Sequence, residues 1–185
     1  MKIVDFALLG RGQRGEAARI LREAIAGPSY KAVGEAEAEV SSFLEDTNRF
    51  ALAALDDGAL RGWIGAVRGY SHALELHPLV VDPPWQRRSV GRSLVAALEA
   101  RAIAEGFLTI YLGTDDEVGG TSLYGTDLFP DALAKLASIK PSPDGHPFFF
   151  YRQLGYEAVG VLPNANGFGK PDIYMAKDVS SAGRG

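Results

Sequence analysis

The chain has 185 residues, 46% of them hydrophobic and 23% charged, which is the balance of an ordinary globular domain and excludes a disordered chain, a collagen-like repeat and a coiled coil. It has no cysteine, so a disulfide scaffold, a thiolate zinc site and a cysteine nucleophile are all excluded. Nineteen Lys and Arg against 23 Asp and Glu give a net charge of −4, which disfavours nonspecific nucleic-acid binding and suits a cationic ligand.

Asp5 interrupts the short apolar N-terminus, and no apolar run approaches the ~20 residues of a membrane span. The chain therefore reads as cytoplasmic and membrane-free. Apolar Ala17, Ile20, Leu21 and Ile25 recur at helical spacing from Glu16 to Ile25, with Gly27-Pro28 as the stop, and Glu35 to Leu44 reads as a second, acidic helix. Phe50 to Leu55 and Leu60 to Val67 read as strands joined by an Asp57-Gly58 hairpin turn, and Ala73 to Val81 as a third strand. Ser89 to Glu105 is the strongest helical pattern, with Val90, Leu94, Leu98 and Ala102 on one face and Gly106 past its end. A short strand, Thr109 to Leu112, leads into a long loop from Gly113 to Phe129 rich in Asp, Gly and Thr. Short helices near Asp131 to Ala137 and Phe148 to Leu154 follow, then strands near Ala158 to Leu162 and Ile173 to Ala176. This order predicts one mixed α/β domain over 1–179, with 180–185 as a tail. A doubly wound dinucleotide-binding fold would begin with a strand and a glycine turn, which the pattern does not show.

Alternation along the third strand puts Glu75, His77 and Leu79 on one face, with Leu74, Leu76, Pro78 and Val80 on the other. Two readings stand. Either this is an edge strand with a polar face in water, consistent with Pro78, or it ends in a cleft with Glu75 or His77 as a general base. The segment that follows, Gln86-Arg87-Arg88-Ser89-Val90-Gly91-Arg92-Ser93, joins this strand to the strongest helix. Backbone N–H groups at a helix start are unsatisfied and carry positive potential, so clustered arginine there points to an anionic ligand. The segment is neither a P-loop nor a Gly-x-Gly-x-x-Gly turn. Three His and no Cys offer no ligand spacing for a metal.

Glu-x-His on a strand, this arginine-rich turn, the long helix and a late Tyr151-Arg152-Gln153-Leu154-Gly155-Tyr156 resemble the GNAT superfamily of acetyl-CoA-dependent N-acetyltransferases. Residues 86–91 match its Gln/Arg-x-x-Gly-x-Gly/Ala pattern except at Ser89, where the first glycine is usual. Glu75 to Val81, Tyr111 to Asp116, His146-Pro147, Gly160 to Gly167 and Lys170 to Ile173 further resemble aminoglycoside 6′-N-acetyltransferases of the chromosomal enterococcal type. The N-terminal helices carry no such match.

The resemblance implies a GNAT fold: a mostly antiparallel mixed sheet, splayed at one parallel strand pair and flanked by helices. It implies a homodimer that acetylates the 6′-amine of an aminoglycoside from acetyl-CoA without a metal, and so confers antibiotic resistance. It also implies the site. Glu75 would be the general base, with His77 beside it and both facing the acceptor. Leu79 would offer its backbone N–H to the thioester carbonyl. Val81, Gln86, the Arg87 to Ser93 turn and Tyr151 would hold the cofactor. Tyr151 would act as acid toward the departing thiolate, and Asp115 and Asp116 would hold substrate ammonium groups. His72 and His146 read as structural. A polyamine or protein-amine acceptor, or an idle CoA-binding module, are the rival functions.

Overall fold

The chain begins with a strand that its sequence does not announce. In the computed structural model, which describes residues 1–25, 28–143 and 145–180, β1 (Lys2–Asp5) pairs antiparallel with a later strand, Ile3 opposite Ala54. Four residues carry too little pattern to be recognised alone, and the pairing supplies the strand character. The expectation that no strand opens the chain is thus corrected. What separates this fold from a doubly wound parallel sheet is the antiparallel pairing of that strand.

Two compact units are present, Met1–Ile110 with Val179 and Ser180, and Tyr111–Asp178. In the first, α1 (Arg11–Ala24) buries Ala17, Ala18, Ile20 and Leu21, and α2 (Glu35–Glu45) buries Ala36, Val40 and Phe43. The sequence stop for α1 at Gly27 falls outside the described residues; α1 ends at Ala24. Strands β2 (Arg49–Asp56) and β3 (Ala59–Val67) form the expected hairpin, with Asp57 and Gly58 at φ 49° and 78°, the paired positive values of a type I′ turn. Trp63 on β3 is fully buried between the rings of Phe6 and Phe43, and its indole N–H donates to the Ala17 carbonyl at 3.1 Å. That bond removes the cost of hiding a polar group at the centre of the core.

β4 (Ala73–Val81) pairs antiparallel with β3 and alternates in burial along its whole length. Pro78 does not mark an edge, because β4 has β3 on one side and β5 on the other. Ile64 faces Leu79 and Ala66 faces Leu76, so His77 and Pro78 together oppose the single Gly65, a bulge that accommodates the missing proline N–H. A Cβ on Gly65 would lie 2.3 Å from the His77 carbonyl oxygen and 2.5 Å from the Phe43 ring, so only glycine permits α2 and the bulge to approach together. α3 (Val90–Ala104) buries Val90, Leu94, Val95, Leu98 and Ala102 as its stripe requires. It closes with Gly106 N–H on Ile103 O and Phe107 N–H on Ala102 O, a Schellman stop. β5 (Thr109–Asp115) then starts beside β4: the N–H groups of Leu108 and Thr109 both donate to His72 O. The two strands leave that point in the same direction, which makes the one parallel pair of the sheet.

The second unit holds the rest of β5, two short helices, α4 (Ala132–Ala137) and α5 (Pro147–Gln153), and an antiparallel pair, β6 (Glu157–Leu162) with β7 (Asp172–Asp178). β5 runs three residues beyond its expected end at Leu112, and Thr114 Oγ1 donates to Ile173 O at 3.1 Å. Strand order is β1-β2-β3-β4-β5-β7-β6, the mixed α/β sheet the sequence predicts.

Candidate functional site

In the first unit, Glu75, His77, Leu79 and Val81 form the half-buried face of β4, while Leu74, Leu76, Pro78 and Val80 are buried. His77 Nε2 lies 3.0 Å from the Tyr30 hydroxyl and 3.7 Å from Glu39 Oε1, and Glu39 is itself held by Arg49 at 3.0 Å. The strand then leads through Pro83–Trp85, a single 3-10 turn, to the start of α3. Gln86 Nε2 donates back to Val81 O at 3.2 Å, tying this turn to the end of the strand.

Ser89 is the N-cap of α3, and its side chain makes no capping bond. The first intrahelical bond is Ser93 N–H to Ser89 O at 3.0 Å, so the N–H groups of Val90, Gly91 and Arg92 have no helical acceptor. Arg87 and Arg92 are exposed and make no ion pair among the described residues, whereas Arg88 lies 5.3 Å from the centroid of Trp85. Ser89 sits at φ 64° and Arg87 at φ 58°, both left-handed. That conformation explains why glycine is the usual residue at position 89: the backbone there takes a shape that costs an L side chain ~1–2 kcal/mol.

The second unit carries the other expected residues. Asp115 ends β5, exposed, and accepts a hydrogen bond from Asn166 Nδ2. Asp116 corrects the sequence reading. Its carboxylate is fully buried and accepts from the N–H groups of Gly119, Gly120 and Thr121 and from Thr121 Oγ1, at 2.7–3.0 Å. With four donors on its oxygens it clamps its own loop and offers nothing to a substrate. Asp172 on β7, a position for which the sequence suggests no role, lies beside Asp115. Burial and the Asp115 charge hold its carboxyl above the ordinary value. A Cβ on Gly113 would come within 2.9 Å of both its oxygens. No side chain fits between β5 and this carboxylate.

His146 is structural, as the sequence suggests. It is the N-cap of α5, its Nδ1 accepting from Phe148 N–H at 3.2 Å, which leaves Nε2–H to donate to Asp115 O at 3.0 Å. Tyr151 on α5 is buried, with its ring against Phe150 and Tyr156, and burial pushes its hydroxyl well above the ordinary phenol value. It holds its proton throughout the physiological range and is a donor there.

On β4 a carboxylate, an imidazole and aliphatic side chains thus share one half-buried face, and the chain continues from it to the uncapped, arginine-flanked start of α3. The chain belongs to the acetyltransferase (GNAT) family, whose model matches residues 19–124. It is similar to an aminoglycoside 6′-N-acetyltransferase solved in complex with coenzyme A, at 41% identity over 98% of both chains and a TM-score of 0.89. The aminoglycoside 6′-N-acetyltransferase from Enterococcus faecium is also 41% identical over 98% of both chains, with a TM-score of 0.87. A type Ii aminoglycoside 6′-acetyltransferase is 35% identical, with 98% of this chain and 99% of that one covered and a TM-score of 0.74. No curated protein matches the chain. Among the described residues no helix is long and apolar enough to cross a membrane.

Proposed function

We propose that the protein acetylates the 6′-amine of aminoglycosides from acetyl-CoA by direct transfer, with residues 1–179 as its catalytic domain. The observation that carries this reading is the run of Glu75, His77, Leu79 and Val81 on one face of β4, continued into the uncapped start of α3. It occurs in a chain 41% identical over its length to proteins of that activity.

Acetyl-CoA, when bound, supplies an acetyl thioester. The free N–H groups of Val90, Gly91 and Arg92, with Arg87, Arg88 and Arg92 adding charge, suit its pyrophosphate. Gln86, Ser89, Ser93 and Val81 shape the turn and the strand end that would hold the pantetheine arm. The Leu79 N–H donates to the carbonyl oxygen as negative charge develops there. Glu75 takes a proton from the acceptor ammonium, directly or through a water, and the free amine then attacks the thioester carbonyl. The N–C bond forms, the C–S bond breaks, and the nitrogen gives up its second proton to solvent. His77 stands beside it on the acceptor side. Tyr151 serves as a hydrogen-bond donor to the departing thiolate. A thiol of pKa about 8.5 leaves without full proton transfer, and a buried phenol holds its proton more tightly than that thiol does. Asp115, with Asp172 beside it, attracts a substrate ammonium. The same reading takes the protein as a cytoplasmic homodimer that confers aminoglycoside resistance.

The test is release of CoA thiol across a panel of aminoglycosides, polyamines and basic peptides, for the wild type and Glu75→Gln. Aminoglycoside-specific turnover is expected, with kcat reduced roughly 10²–10⁴-fold in the variant. Turnover of spermidine or a peptide with none on any 6′-amino drug would hand the site to another amine. Thermal stabilisation by CoA without turnover of any amine would leave a binding module.

A further inference from the structure

Tyr30 is an outlier of the backbone. Its φ is 62°, a region that a bulky side chain enters only where its surroundings impose it, and such residues gather at functional sites. The connection between α1 and α2 carries it. Its ring packs partly buried against the core of the first unit, and its hydroxyl ends 3.0 Å from His77 Nε2. Three elements thus converge on one imidazole: β4 bears it, the α1–α2 connection brings Tyr30, and α2 brings Glu39 to 3.7 Å from the same nitrogen. Glu39 is already engaged by Arg49 NH1 at 3.0 Å, and Ser42 Oγ binds that same guanidinium nitrogen at 3.1 Å.

A neutral imidazole has one donor and one acceptor nitrogen, and the partner of each decides where the proton sits. The Tyr30 hydroxyl keeps its proton, because burial and the neighbouring Glu39 charge push its pKa up to about 12. A phenol O–H facing a ring nitrogen is best used as a donor, which makes Nε2 the acceptor and leaves the ring proton on Nδ1. In water a histidine side chain prefers the opposite tautomer, so the contact has a preference to overturn.

We propose that Tyr30 is a positioning residue, donating to His77 Nε2 and thereby holding the imidazole in its Nδ1–H tautomer and in one orientation on the face of β4 that carries Glu75. The role in turnover rests on the acetyltransferase reading of that face; the tautomer itself does not. This assigns a task to a segment between α1 and α2 for which the sequence alone suggests none.

Nitrogen-15 NMR of the intact protein at about pH 8.5, some two units above an ordinary imidazole pKa, reads the tautomer directly. The three histidines are assigned by the signals lost in His77→Gln. The wild type is expected to show His77 with Nδ1 protonated and Nε2 bare. Tyr30→Phe keeps the ring and its packing, so the melting temperature should hold while the His77 proton moves to Nε2. Tyr30→Phe should also lower kcat/KM for the amine acceptor by about 3–10-fold, and cost nothing further in a His77→Gln background. A wild-type His77 protonated at Nε2, or the same tautomer in wild type and Tyr30→Phe, overturns the proposal. So does a full Tyr30→Phe loss that persists without His77. The expected tautomer change in a protein that acetylates no aminoglycoside would uphold the Tyr30 contact while refuting the proposed substrate.

Discussion

The Nε2 of His146 lies 3.0 Å from the peptide oxygen of Asp115, and its Nδ1 caps the helix that bears Tyr151. One imidazole therefore joins the end of β5 to the start of α5. His146→Ala should cost ~1–2 kcal/mol of stability, the usual worth of a lost cap. It should also lower kcat and raise KM for the acceptor together. His146→Asn restores a cap but not the tie to Asp115, so it should recover the melting temperature more fully than the activity. Equal recovery of both would mean the tie does not matter.

Asp115 and Asp116 are adjacent in sequence and opposite in role. Asp116→Asn replaces a carboxylate that accepts four hydrogen bonds with an amide that can accept at only one of its atoms. The loss should be about 3 kcal/mol or more, read as a lower urea midpoint. Asp115→Asn, at an exposed position, should leave the midpoint nearly unchanged. It should raise KM for the aminoglycoside, with an effect that fades as salt is added. The reverse pattern would return Asp116 to the substrate.

Ser89→Gly tests the backbone reading of the turn. Removing the Cβ from a residue at φ 64° should stabilise the protein by about 1 kcal/mol, roughly 2–4 °C in Tm for a chain of this length. CoA affinity should hold or improve, since the uncapped N–H groups at the start of α3 remain. A lower Tm, or weaker CoA binding, would show that the serine hydroxyl matters more than the strain.

Asp172 carries a sign that can be measured. Burial and the Asp115 charge raise its folded-state pKa above the unfolded value. The folded protein then binds the extra proton, and this contribution to stability is present at low pH and lost as pH rises through the folded value. Asp172→Asn should therefore raise Tm at neutral pH and flatten its dependence on pH between the two values. An ammonium ligand beside the pair should have the same stabilising direction in the wild type and less in the variant. A variant less stable at neutral pH would contradict this.

Much of this was legible in the chain because the signals are local. The stripe Val90, Leu94, Leu98 and Ala102 is complete within one helix, the Asp57-Gly58 turn needs only two residues, and the face of β4 follows from alternation alone. What escaped depends on distant partners. β1 exists because Leu52 to Leu55 pair with it. Asp116 resembles its neighbour until the loop folds three N–H groups onto it. Tyr30 meets His77 across 47 positions, and nothing near Tyr30 announces a partner. The departure at Ser89 was visible as a missing glycine, but its physical meaning lies in a backbone angle.

The most direct measurement pairs two acceptors that differ at one atom. The wild-type enzyme is given acetyl-CoA with a kanamycin- or neamine-like drug bearing a 6′-amine, and separately with its 6′-hydroxyl analogue, and the acetyl group is located by NMR. The account predicts one acetyl on the 6′-nitrogen of the first and no product from the second. Acetylation of the 6′-hydroxyl compound at comparable rate, or of a different amine on the first, would contradict it.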